Sequence, residues 1–445
     1  MPSRVNRRDI IRGLGAAGIA GIAGCTGGDG DGDDETTTED TGGDGTTEGN
    51  GDTEETTEET GGGMDRTLSQ GVLLPTTGDL ADLGEPIKNA AELPRFVLEG
   101  ETDFELDFNV QDTQTDPNAA QSAAQELRNG GYPAVTGAAS SAVSIAVYEN
   151  VFIPSGIVGC SPASTSPDIT DLNDNGLVYR TAPTDALQGR VLADVAVNRL
   201  EASTAATMYV NNSYGQLLSD SFVSAFQERD GQVPNQVSFQ KGQSSYTSRI
   251  SQALNDDPDV MIVIGYPESG IQLFSDFYSD FDSDIPILIT DGLRSSSLPA
   301  DVGNPLDNIT GTAPLAAGPG RDYFEEQYRS EYGLDEDESP GVFTAQAFDA
   351  TAVCLLANAR AGENNGAAIA EEMQAVANPE GEEVTPSNLA EGLQKAAEGT
   401  EINYNGASSA VAFDENGDLK AATYEYFGFQ EGGGIETIEE IEFSA

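Results

Sequence analysis

Two clusters of small hydroxyl residues follow short apolar runs: Ser140-Ser141 after residues 134–137, and Ser161-Pro-Ala-Ser-Thr165 after residues 156–160. Between them, residues 142–150 carry the apolar rhythm of one short helix. A strand–helix–strand unit of parallel sense brings both strand ends to one edge of the sheet. That is the edge where open α/β sheets bind ligands. Ser140, Ser141, Ala163 and Thr165 then face one crevice, with hydroxyls and free backbone N–H groups to offer. Ser140 and Ser141 are expected both to cap the helix and to meet a small polar or anionic group. No base stands beside them. The chain has no histidine, which removes Ser–His–Asp triads, Cys–His pairs and the commonest transition-metal ligand. A hydrolase built on the Ser140/Ser141 region would also lack a suitably spaced lysine.

The elements that must position this crevice belong to a long and very acidic chain. Its 445 residues allow two or three domains. Acidic residues number 76 against 20 basic ones, four of them lysine, for a formal charge of −56. Such a charge opposes compaction in dilute buffer and excludes nucleic-acid binding. It suits a halophilic protein, since the Debye length in molar salt is only ~3 Å. An acidic disordered chain is excluded beyond residue 64, where apolar segments recur. The three cysteines, Cys25, Cys160 and Cys354, are too few for a disulfide framework. Cys160 and Cys354 are expected to be buried free thiols. Asp171-x-Asn173-x-Asn175-Gly176 copies half of a calcium loop, but its twelfth position is Ala182 where a bidentate Glu is required. Neither a metal nor a cofactor is therefore expected. Asn211 and Asn308 match glycosylation acceptors by pattern alone.

Residues 1–25 read as an export signal. Asn6-Arg7-Arg8-Asp9-Ile10-Ile11-Arg12 resembles a twin-arginine (Tat) motif, and a weakly apolar Gly/Ala run leads to Ile22-Ala23-Gly24-Cys25, which resembles a lipobox. Cys25 would then be lipidated and become the new N-terminus. Gly13-x-Gly15-x-x-Gly18 matches a dinucleotide fingerprint by chance, since no strand precedes it. Residues 26–63 hold Gly, Thr, Asp and Glu with no Lys, Arg or large apolar residue. They cannot bury a core and are expected to form a disordered tether, with a reach of roughly 35 Å.

From residue 66 onward, strand and helix patterns alternate in two series. Strands are expected at 71–74, 104–110, 134–137 and 156–160, then at 205–210, 233–239, 260–265 and 285–290. Helices intervene, with Pro94 expected to kink or break the first one, over 85–99. After residue 314 the chain becomes mostly helical, at 321–332, 344–361, 367–377 and 386–397, and closes with a hairpin of 410–413 against 423–429. The fold class is α/β, with two similar lobes, each a mostly parallel sheet flanked by helices.

The ordered set of motifs resembles a known family. It comprises Pro75-Thr-Thr-Gly78, Asp112-x-x-x-Asp116-Pro117, Gly137-x-x-Ser140-Ser141, Ser161-Pro-Ala-Ser-Thr-Ser-Pro167, Arg180-Thr-Ala-Pro183, Asp185-Ala-Leu-Gln-Gly189, Asn211-Asn-Ser-Tyr-Gly215, Gly265-Tyr266, Thr290-Asp-Gly-Leu293 and Phe413-Asp-x-x-Gly-Asp418. The family is the type I periplasmic solute-binding proteins of ABC transporters, in the branch of the branched-chain amino-acid receptors. The resemblance spans nearly all of residues 66–430. It implies a non-enzymatic, monomeric receptor, held at the outer surface of the cytoplasmic membrane through Cys25, that delivers an amino acid or amide to a permease. The alternative is a sensor of the same fold that signals through a membrane partner. The implied lobes are 66–182 with 315–425, and 183–314 with 426–445. They would be joined by three crossing strands near 181–185, 312–315 and 422–426. Within the cleft, the ligand's carboxylate would meet Ser141 and Thr165 and the backbone N–H groups near Ser141 and Ala163. Asp291 would accept its ammonium, and Tyr214 and Tyr266 would close from the second lobe. Leu83 stands where the branched-chain receptors carry an aromatic residue, and Ala138 replaces a larger one, so both changes touch side-chain specificity.

Overall fold

The computed structural model describes residues 65–336, 338–377, 380–430 and 434–444. The expected export signal, the tether and Cys25 lie outside these residues. Among the described residues no helix is long and apolar enough to cross a membrane.

The first sheet is built from β1 (Thr67–Leu74), β2 (Glu105–Asp112), β3 (Ala134–Gly137), β4 (Val158–Ser161) and β5 (Val178–Arg180). All are parallel, in the order β2-β1-β3-β4-β5. Parallel strands need covered crossovers, and the sequence punctuates them accordingly. Asp116 caps the helix Pro117–Gly130 by accepting from the N–H groups of Asn118 and Ala119, Pro117 fills the first turn, and Gly131 ends the helix at φ 81°. Pro94 does not end the first helix, because Ala81–Leu98 runs through both Pro86 and Pro94. The expected helix over 142–150 is in fact three joined pieces: Ser141–Val147, a π-helical turn Tyr148–Phe152, and Ile153–Ser155.

The second sheet takes up β6 (Thr204–Val210), β7 (Gln232–Phe239), β8 (Val260–Ile264), β9 (Ile287–Ile289) and β10 (Ile309–Leu315). Its interior strand β8 reads Val-Met-Ile-Val-Ile and is buried throughout, as a strand covered on both faces must be. The chain then returns to the first sheet. Helix Thr344–Ala361 packs there against Ala81–Leu98 and against β1, β3 and β4. Every residue from Thr344 to Ala359 is buried, so this helix is an internal pillar. A small parallel pair, β11 (Glu382–Val384) and β12 (Ile402–Tyr404), lies beside it.

The closing hairpin differs from expectation. Phe413 bridges Leu419 outside any ladder and packs edge-on against Tyr179. The ladder is formed instead by β13 (Ala421–Phe429) and β14 (Ile435–Ser444), joined to the second sheet through antiparallel pairing of β13 with β10. Its order is β14-β13-β10-β9-β8-β6-β7. The Asp414–Asp418 turn serves another purpose. Asp418 forms a buried ion pair with Arg180, which also donates to the Ser166 carbonyl at 2.8 Å and the Thr170 hydroxyl at 2.6 Å. This network ties the end of β5 to the hydroxyl-rich loop after β4. Cys160 and Cys354 are both buried and free.

Candidate ligand-binding site

The C-terminal ends of the strands of both sheets open onto one cleft, and their loops make every group of interest there. After β3, Ser140 stands at the N-cap position of the next helix, but its side chain does not cap it. Its hydroxyl instead crosses the cleft and bonds the Tyr266 hydroxyl, at 3.2 Å. Ser141 turns the other way and accepts from the Ser166 N–H at 3.2 Å, which fixes the two hydroxyl loops against each other. The Ser161 hydroxyl braces the same loop by accepting from Ser164 N–H at 2.9 Å.

On the opposite side, the Asn212 side chain accepts from Gly215 N–H and so starts the helix that presents Tyr214. Tyr214 and Tyr266 stack with centroids 5.6 Å apart and planes 9° from parallel. The Tyr214 hydroxyl shares a 2.7 Å hydrogen bond with Thr290 and lies 3.4 Å from an Asp291 oxygen. Gly292 permits this approach, since a Cβ there would meet the Gly265 carbonyl oxygen at 2.4 Å. Asp291 is buried, and burial pushes its carboxyl up to about 6, although Gln188, Tyr214 and backbone N–H groups pull it back down.

These groups line a narrow cleft pocket, whose empty space comes to about 360 Å³ when the open solvent at its mouth is included. Its lining brings Ser141 and Ala163 from the first sheet and Tyr214, Tyr266, Asp291 and Gly292 from the second together with Pro75, Leu80, Leu83, Ile87 and Phe343. Of the residues singled out from the sequence, Leu83, Ser141, Ala163, Tyr214, Tyr266 and Asp291 therefore lie together. Ser140 and Thr165 are buried but are not among the walls. Asp291 is the one charged residue in this lining. The lining thus offers a carboxylate at Asp291, hydroxyls at Ser141, Tyr214 and Tyr266, and apolar side chains at Leu80, Leu83, Ile87 and Phe343. Leu80 and Ile87 lie on or beside the first helix, and Phe343 sits at φ 62° just before the buried pillar. No local pattern in the sequence marks these three as neighbours of Asp291.

Two further contacts cross the cleft. Asp79 accepts from the Ser269 hydroxyl at 3.0 Å, and Lys241 donates to the Thr115 carbonyl at 2.7 Å. Together with Ser140–Tyr266 they hold the lobes closed. Ser269 lies in the first turn of the helix Pro267–Asp280, so Asp79 places its carboxylate at the positive end of a helix of the opposite lobe.

The family model described as periplasmic binding protein matches residues 68–414. A substrate-binding protein of a chemotactic signal transduction system from Halobacterium salinarum is 27% identical, with 74% of this chain and 77% of the relative covered. A leucine-, isoleucine-, valine-, threonine- and alanine-binding protein of Pseudomonas aeruginosa is 23% identical, covering 68% and 80%. In fold, the chain is similar to a leucine-binding protein from Thermotoga maritima, with a TM-score of 0.70 at 24% identity over 84% of this chain and 98% of that one. It also resembles an isoleucine-bound substrate-binding protein of a branched-chain amino-acid transporter from Streptococcus pneumoniae, with a TM-score of 0.69 at 18% identity over 85% and 100%.

Proposed function

Because the chain belongs to the periplasmic binding protein family, in its type I branched-chain amino-acid receptor branch, we propose that it captures an amino acid with an apolar side chain and delivers it to an ABC permease. The chain is a solute-binding protein and catalyses nothing. One observation carries the choice of ligand: a single buried carboxylate, Asp291, lines an otherwise uncharged pocket whose apolar lining includes Leu80, Leu83, Ile87 and Phe343. The ammonium of the ligand pairs with Asp291, and its carboxylate meets the Ser141 hydroxyl, whose oxygen accepts from Ser166 N–H and whose proton is left to donate. Its side chain meets the apolar lining. Charge-assisted hydrogen bonds at both ends give orientation, and apolar burial adds affinity. Each lobe supplies part of the contact, so binding favours closure.

The receptor is further proposed to be exported by the twin-arginine route, anchored through Cys25 and adapted to molar salt. The test is a thermal-shift screen of amino acids, amides and small carboxylates in molar KCl or NaCl, followed by calorimetry on the wild type and Asp291→Asn. A stabilising apolar amino acid whose affinity collapses in the variant supports the assignment. Unchanged affinity refutes it. The relative from H. salinarum favours a second reading, that the loaded receptor signals through a membrane partner. Deleting the chain's gene should then abolish attraction to the ligand while its uptake continues.

A further inference from the structure

Three passages of chain join the two sheets, and a recess lies where they meet. The chain leaves the first sheet after β5 and enters the second at β6. It returns after β10 to the helix Thr344–Ala361, and crosses again to reach β13. Any opening of the cleft must bend these passages, since no other stretch among the described residues joins the sheets. Thr181 and Pro183 line the recess from the first passage, Pro314 and Leu315 from the second, and Leu419 and Ala421 from the third. It shares no lining residue with the ligand pocket.

Two polar side chains in the recess have no partner. Gln346, in the first turn of the Thr344–Ala361 helix, is only 3% exposed. Its carbonyl accepts from the Thr181 hydroxyl at 2.8 Å, but its side-chain amide makes no hydrogen bond among the described residues. The Ser409 hydroxyl oxygen is buried and likewise unpartnered, whereas its neighbour Ser408 donates to Asp349 at 2.6 Å. A buried amide left without a partner is costly, so both groups call for a molecule that supplies one. No ionisable side chain lines the recess, which disfavours a charged occupant. The Gln346 amide presents a donor and an acceptor side by side, and a second amide offers the matching pair.

A wider groove adjoins the recess. The two share Ser408, Ser409, Ala421, Ala422 and Thr423, and the groove adds Ala317, Ala410, Glu442 and Phe443. With open solvent included, the recess comes to about 220 Å³ and the groove to about 790 Å³. The groove has room for an apolar body against Ala317, Ala410 and Phe443. Its one carboxylate, Glu442, repels anions.

We propose that the recess and groove bind a small uncharged primary amide, its head on Gln346 and Ser409 and its apolar body in the groove, and that this occupant favours the closed receptor. The three passages shift relative to one another when the cleft opens, so a molecule fitted to their closed arrangement binds the open form less well. Recess and cleft are then coupled, each ligand tightening the other. Only this coupling rests on the solute-binding reading; the amide site stands apart from it.

The test uses para-bromobenzamide, whose bromine anomalous diffraction locates, with crystals of the wild type, Gln346→Leu and Asp291→Asn in molar KCl. The expected result is a bromine peak in the groove, with the amide on Gln346, in the wild type and Asp291→Asn but not in Gln346→Leu. In calorimetry, saturating para-bromobenzamide should tighten binding of the amino acid found by the thermal-shift screen by about fivefold or more in the wild type, and leave Gln346→Leu unchanged. Water alone at the Gln346 amide, a peak that survives in Gln346→Leu, or a peak with no binding in solution overturns the proposal. A peak with unchanged amino-acid affinity overturns the coupling. Gln346→Leu removes only an unpartnered amide, and circular dichroism checks that it folds; should it not, the wild-type map decides alone. If no amino acid binds, the receptor reading falls while the bromine peak still judges the amide site.

Discussion

Replacing Tyr266 by Phe isolates the contribution of one hydroxyl to closure. The ring would keep its stack on Tyr214, so the wall of the cavity is preserved. Two hydrogen bonds are lost: to Ser140 at 3.2 Å and from Asn212 at 3.0 Å. They are not equivalent. Asn212 and Tyr266 flank the same sheet, so their bond exists whether the cleft is open or closed. Ser140 lies across the cleft, so its bond exists only in the closed state. A net hydrogen bond contributes about 1 kcal/mol, and the closed-to-open ratio should fall by about fivefold. The Asp79–Ser269 and Lys241–Thr115 contacts remain and should prevent full opening. Calorimetry in molar salt, with the apolar amino acid that stabilises the wild type most in the thermal-shift screen, should show affinity about fivefold weaker, and small-angle scattering of the ligand-free protein should show a larger radius of gyration. Unchanged affinity together with an unchanged radius would refute the idea that this bond stabilises closure.

Other substitutions probe the supports of the site. Asp79→Ala removes the carboxylate placed at the start of the Pro267–Asp280 helix, and should open the ligand-free cleft measurably by scattering while leaving the circular dichroism spectrum intact. Arg180→Met leaves Asp418 buried without its partner and should cost about 3–5 kcal/mol in denaturant unfolding; a loss below about 1 kcal/mol would show that the ion pair does not hold the loop. Asp349 is pushed up to about 6 by burial despite accepting from Tyr404, Ala407 and Ser408. Its raised value means that its stabilising share is full below the ordinary carboxylate range and is lost as pH rises through about 6. The stability difference between wild type and Asp349→Asn should therefore narrow from pH 5 to pH 7, and a constant difference would contradict that burial effect. Finally, the thermal midpoint should rise as KCl goes from ~0.15 M to ~1 M, where screening shortens from ~8 Å to ~3 Å; a flat response would argue against adaptation to high salt.

The fold was legible in the sequence wherever one chemical pattern dominated. The fully apolar run of β8 and the capped helix Pro117–Gly130 follow directly from residue types, and Arg321–Tyr332 and Thr344–Ala361 end where their apolar rhythm ends. The closing strand β14 was missed because it alternates isoleucine with glutamate, a poor strand former, and only pairing with β13 makes it a strand. Pro94 reads as a breaker, yet the helix that contains it is held by packing on the buried pillar. Within the cleft, hydroxyl clusters and loop tyrosines at strand ends marked part of the lining. Leu80, Ile87 and Phe343 could not be found in that way. They come from the first helix region and from a loop more than 250 residues later, and only the tertiary fold puts them together.

The edge strand β14 has a bearing on how copies of this chain behave beside one another. Among the described residues Ile438 is the one large apolar side chain that stands exposed, at 53%. It sits on an open strand edge, where an unpaired ladder invites a neighbouring molecule to zip on. Ile438 sits where the β13–β14 register slips by one residue, and Glu436, Glu440 and Glu442 around it are exposed as well. Screening in concentrated salt weakens their mutual repulsion, but a strand added alongside would have to strip water from each carboxylate in turn. That dehydration penalty persists when long-range charge no longer acts. The edge thus carries its own protection against sheet-to-sheet aggregation under the conditions that favour it most.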